Sequence, residues 1–128
     1  MHLIDTSAWI EFLRNTGSSV CERVDSLLDQ EPYVCEPVAM EILAGARDEV
    51  HLAALRRLLA RCVTLRTTPG DYEFAAALFR ECRRNGETPR TIMDCVIAAV
   101  AIRHDVALVH HDSDFATIAR HSALRTAK

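Results

Sequence analysis

The chain has 128 residues, of which 49% are hydrophobic and 26% charged, with a net charge of −3. That is enough apolar material for one packed domain over residues 1–128 and too much for a disordered chain. The longest uncharged apolar run in the C-terminal half, residues 95–102, is far too short to cross a bilayer.

The expected elements alternate. Leu3 and Ile4 read as a short buried strand, followed by the capping hydroxyls of Thr6 and Ser7 and a helix over 8–13 with Trp9 and Phe12 about one turn apart. Asn15, Thr16, Gly17 and Ser18 break it, and Val20, Val24, Leu27 and Leu28 mark a second helix over 20–29 that ends before Pro32. Residues 33–35 are a second strand. Pro37 suits a helix start, giving a third helix over 38–44 stopped by Gly45. Leu52, Leu55, Leu58 and Leu59 mark a fourth helix, and residues 62–65 a third strand. A long amphipathic helix runs from Pro69 through Cys82 and closes over 83–86; residues 88–91 are a loop or cap. The helix over 92–103 is apolar nearly all round and is expected to be central and buried. A fourth strand over 106–109, a helix over 112–120 and an edge strand over 124–126 complete the chain. Short strands alternating with helices predict an α/β fold, a mainly parallel sheet covered on both faces, with its site beyond the carboxyl ends of the strands.

Five acids sit beside apolar segments: Asp5, Glu41, Asp94, Asp112 and Asp114. Asp5 and Asp112 follow strands directly; Glu41 and Asp94 are expected in the first turns of helices packed beside that edge. Each has a plain structural alternative. Asp5 and Asp112 could cap the helices that follow, Thr91 with Asp94 resembles a capping box, and Asp114 suits a first helical turn. Glu41 is the hardest to explain that way, being flanked by Val38, Ala39, Met40, Ile42 and Leu43. Gathered together, such hard oxygen ligands would need a cation, and Mg²⁺ or Mn²⁺, one ion or two, fits them.

Other residues add constraints. The five cysteines are odd in number and form no Cys-x-x-Cys pattern, which argues against a disulfide frame or zinc knuckle; Cys35, Cys62 and Cys95 read as core thiols. No His-Glu-x-x-His pattern occurs, and His110 and His111 read first as ordinary strand-end histidines. Fourteen of the fifteen basic residues are arginines, and the pairs Arg56-Arg57 and Arg83-Arg84 read as solvated faces.

Four segments together carry a resemblance: Leu3 through Trp9, Met40 through Gly45, Met93 through Ala99, and Val109 through Phe115. In this order they resemble the PIN-domain ribonucleases, and most closely the VapC toxins of type II toxin–antitoxin modules, over essentially the whole chain. The resemblance implies a three-layer α/β/α sandwich, a metal-dependent endoribonuclease and a homodimer; a cytoplasmic location is expected separately, because the N-terminus runs straight into Leu3, Ile4 and Asp5 with no basic region or signal-peptide core. The resemblance also implies inhibition by a VapB-type antitoxin whose C-terminal tail covers the acidic site. The family's acidic quartet falls on Asp5, Glu41, Asp94 and Asp112, with Asp5, Asp94, Asp112 and Asp114 as metal ligands and Ser7, with Thr6, as accessory hydroxyls. Two rivals are a small phosphoaspartate phosphatase and a non-catalytic, metal-binding signalling module. Both expect a lysine at the site, and the only lysine is Lys128.

Overall fold

The computed structural model describes residues 1–127. Lys128, which bears on the two rivals, lies outside the described residues.

Among the described residues, five strands form one sheet: β1 (His2–Ile4), β2 (Tyr33–Cys35), β3 (Val63–Leu65), β4 (Ala107–Val109) and β5 (Thr126–Ala127). Their order is β3-β2-β1-β4-β5 and every pairing is parallel. Parallel neighbours require crossovers, and seven helices supply them: α1 (Thr6–Leu13), α2 (Ser19–Leu27), α3 (Glu36–Ala44), α4 (Glu49–Leu59), α5 (Pro69–Arg84), α6 (Ile92–Arg103) and α7 (Ser113–Arg120). A 3₁₀ turn, Leu28–Gln30, follows α2. The chain steps outward from β1 to β2 and β3, then returns past β1 to β4 and β5. Right-handed crossovers therefore place α1–α4 on one face and α5–α7 on the other. The packing agrees: α1 meets α2 and α3, α3 meets α4, and α5, α6 and α7 meet one another. No described helix is long and apolar enough to cross a membrane.

The central strand explains why three residues suffice. Leu3 and Ile4 are fully buried, and β1 is hydrogen-bonded on both sides. α6 is the helical counterpart, with every residue from Cys95 to Ala101 buried. The helix lies against β4, α5, α7 and α3, so its stretch 95–101 has no face to give to water. Trp9 is fully buried and meets the half-buried Phe12 edge-on at 6.2 Å, a favoured arrangement for packed aromatics. All five cysteines are free; four are buried and Cys62 is half-buried.

The boundaries differ from expectation in instructive places. α1 starts at Thr6 because Asp5, not Thr6 or Ser7, is its N-cap, accepting from the Ser7 backbone N–H. α3 starts at Glu36, two residues earlier than expected, with Pro37 in its first turn where no amide donor is needed. Glu41 consequently sits in the second turn rather than the first. The last strand is Thr126–Ala127 rather than 124–126, because Thr126 and Ala127 pair with Leu108 and Val109 while Leu124 is buried ahead of the strand. Thr91 caps α6 by accepting from Met93 N at 3.2 Å. The expected capping box with Asp94 does not form, since Asp94 turns inward. A box forms instead at α5, where Asp71 Oδ2 accepts from Thr68 N at 2.8 Å.

Candidate active site

Asp5 follows directly on the central strand, and its backbone N–H donates to Val109 O at 2.9 Å, tying it to the end of β4. Its side chain is divided between two tasks. Oδ2 accepts from Ser7 N at 2.8 Å and from Ser7 Oγ at 2.6 Å; Oδ1 is buried and has no hydrogen-bond partner. Ser7 Oγ in turn accepts from His111 N at 2.9 Å, so one hydroxyl joins the Asp5 carboxylate to the loop after β4.

That loop leads into Asp112, the N-cap of α7, whose Oδ1 accepts from Asp114 N at 2.9 Å. Asp94 enters from the third position of α6. Ligand-capable atoms of Asp94, Asp112 and Asp114 all lie within 4.8 Å of one another. Asp5 stands outside this group of three, yet its charge is felt at Asp94 before that of the other two.

Electrostatics separate these acids from an ordinary buried aspartate. Asp5, Asp71, Asp94 and Asp114 are the buried charged side chains of the described residues. Asp71 has a counter-ion: Arg103 reaches its two oxygens at 2.7 and 2.9 Å and bonds the Arg66 carbonyl as well. Burial pushes the Asp71 carboxyl up, but Arg103 and the Thr68 amide outweigh it and hold the group below its ordinary value. Asp94 has no such compensation. Burial first, then the charges of Asp5, Asp112 and Asp114, push its carboxyl up to about 8, and its Oδ2 is buried without a partner. Burial also raises Asp5, against the opposing bonds from Ser7. Two orphaned carboxylate oxygens beside two further aspartates form a donor set that suits a hard divalent cation.

Glu41 is exposed and lies outside the group of three. Its Oε1 accepts from Thr6 Oγ1 at 2.7 Å, which places it one residue from Asp5, and its charge contributes to the raised Asp5 carboxyl. Thr6 and Glu41 face a cavity of about 520 Å³ between α1, α3 and α4, with an apolar floor that includes Ile10, Ile42 and Leu55. His110 is an ordinary strand-end histidine: its Nδ1 accepts from Asp112 N at 3.2 Å, and its ring leans on Phe115.

Sequence reasoning missed Arg90. Its Nη2 donates to Asp112 Oδ1 at 2.6 Å, and its Nε and backbone N donate to Asp114 Oδ2 at 3.3 and 3.0 Å. The available signal was an arginine one helical turn ahead of Asp94, in the loop that leads into the apolar helix.

Fold and site together define an α/β protein whose parallel sheet carries a cation-seeking acidic pocket beyond its carboxyl edge. The chain belongs to the PIN domain family, which matches residues 2–121. Ribonuclease VapC11 of Mycobacterium tuberculosis (strain ATCC 25618 / H37Rv) is 47% identical to it over 131 residues, covering 99% of this chain and 98% of that protein. The fold is also that of VapBC2 from Rickettsia felis, solved bound to a promoter DNA fragment: the TM-score is 0.79 at 17% identity, over 98% of this chain and 96% of that one. VapBC-1 from nontypeable Haemophilus influenzae superposes with a TM-score of 0.78 at 21% identity, over 99% and 96% of the two chains.

Proposed function

We propose that this chain is a single-domain, divalent-metal-dependent endoribonuclease toxin, held in check by a VapB-type antitoxin. The observation that carries the reading is the buried, uncompensated Asp94 carboxylate with Asp112 and Asp114 gathered around it. The near full-length similarity to a VapC ribonuclease supports RNA as the substrate.

In this reading Asp5, Asp94, Asp112 and Asp114 hold Mg²⁺ or Mn²⁺, as one ion or two. When bound, the cation supplies charge relief on the phosphate and makes a water easier to ionise. The protein's own residues do the rest. Ser7 fixes the Asp5 carboxylate by donating to Oδ2, which leaves Oδ1 free. Thr6 orients Glu41 by donating to Oε1, and Glu41 positions the attacking water or takes its proton. The α1/α3/α4 cavity opens beside Glu41 and gives an extended segment a route to the site. Homodimer formation belongs to the same family reading, and a cytoplasmic location is the setting in which such an enzyme would meet RNA.

The test is cleavage of total RNA by purified protein, with Mg²⁺, with chelator, and with an Asp94→Asn control. Metal-dependent cleavage that is lost in the variant is expected, and sequencing the new ends identifies the target. Equal cleavage by Asp94→Asn would remove the assignment.

A further inference from the structure

Arg90 is placed on the acidic cluster by more than its own charge. The loop between α5 and α6 is held at one end by Glu87, which pairs with Arg120 and bonds His121 Nε2 at 2.8 Å, and Pro89 is buried within it. At the other end the Arg90 backbone N–H donates to Asp114 Oδ2 at 3.0 Å, a bond that does not depend on the side chain. The guanidinium adds Nε to that same oxygen and Nη2 to Asp112 Oδ1. It therefore engages one oxygen of each aspartate. Among the described residues, no N–H donates to Asp112 Oδ2 or Asp114 Oδ1, and Asp114 lies within side-chain hydrogen-bond reach of Asp94.

We propose that Arg90 is a positioning residue for the metal site: its fork holds one oxygen each of Asp112 and Asp114, so that their remaining oxygens are presented, with Asp94, to one divalent cation. This rests on the reading of the acidic pocket as a metal centre. A carboxylate that turns freely must lose that freedom on coordination, and a partner on its other oxygen removes the cost beforehand. Such outer partners typically contribute ~10–100-fold to metal affinity. The opposing effect is repulsion between the guanidinium and the cation. The Arg90 side chain is 71% exposed, so solvent and salt screen that repulsion while the orienting bonds remain. Lysine keeps the charge but offers its donors from a single nitrogen, and so lacks the rigid planar spacing with which Nε and Nη2 reach the two carboxylates.

The experiment compares full-length wild type, Arg90→Ala, Arg90→Lys and Asp94→Asn. Mn²⁺ binding is read by the electron paramagnetic resonance of free Mn²⁺, and RNA cleavage is measured as Mn²⁺ is raised. The expected result is a Kd for Mn²⁺ about 10–100-fold weaker in both Arg90 variants. Cleavage should return toward the wild-type rate once Mn²⁺ exceeds the weaker Kd. Unchanged or tighter Mn²⁺ binding in Arg90→Ala would overturn the proposal, and with cleavage lost it would put Arg90 on the RNA instead. Wild-type binding by Arg90→Lys would also overturn it, since charge alone would then suffice. If wild type binds Mn²⁺ through Asp94 but cuts no RNA, the ribonuclease reading falls, while Arg90 is still judged on Mn²⁺ affinity. No Mn²⁺ binding by wild type would overturn both.

Discussion

At the scale of single residues, capping a helix leaves a carboxylate oxygen over for a ligand. Asp5 uses Oδ2 to cap α1 and leaves Oδ1 buried and free; Asp112 caps α7 with Oδ1 and leaves Oδ2 without a bond. A carboxylate has two oxygens and can serve a helix with one and a ligand with the other. Capping and function, which the sequence offers as alternatives, are thus compatible here. Asp94 is the residue with the sharpest consequences. Its carboxyl has an ordinary value of 3.8 and stands at about 8 in the folded, metal-free protein. The folded state holds that proton more tightly than the unfolded chain does, so stability is full below pH 4 or so and falls as pH rises through about 8. Thermal melts in chelator should show Tm declining across that window, and Asp94→Asn should flatten the decline and melt higher at pH 8. Metal binding at pH 7 should release about one proton per site, measurable by calorimetry in buffers of different ionisation enthalpy. RNA cleavage by Asp94→Asn should drop more than ~100-fold, because even outer partners of metal ligands typically contribute ~10–100-fold.

Elements decide which acids reach the site and which do not. Asp71 and Asp94 are both buried aspartates in the first turn of a helix, and sequence alone does not separate them. Only the fold brings Arg103, at the far end of α6, onto Asp71 at the start of α5. Asp71 is therefore a structural acid. Arg103→Ala should destabilise by about 1–3 kcal/mol in urea unfolding, since it strands a buried charge whose partner is itself partly exposed. At saturating metal the variant should cleave RNA at close to the wild-type rate. Most helices and strands are legible because the apolar runs alternate so regularly with Gly, Pro and Asn breaks. The ends are less so: α3 begins early because Pro37 tolerates the first turn, and that moves Glu41 to the second turn and outward. Arg90 was illegible for a different reason. An arginine in a polar loop reads as solvated, and its partners are 22 and 24 residues away.

Across the whole molecule, the sheet order is what turns four distant stretches of sequence into one pocket. β1 lies between β2 and β4, so Asp5 emerges beside the loop carrying Asp112 and Asp114, while α6 delivers Asp94. The acids were legible as a set because each interrupts apolar sequence; their division into an inner group of three, a neighbouring Asp5 and an exposed Glu41 required the fold. A cation that binds only the folded state stabilises the whole by mass action. At a free Mn²⁺ one hundred times its Kd the gain is about 2.7 kcal/mol. That corresponds to a Tm increase on the order of 10 °C for a domain of this size. Asp94→Asn should show almost none of it. The most direct measurement is anomalous scattering from a crystal of the protein soaked in Mn²⁺. A peak roughly 2.0–2.5 Å from oxygens of Asp94, Asp112 and Asp114 is expected. An empty pocket at full occupancy elsewhere, for example at Glu87 and His121, would contradict it.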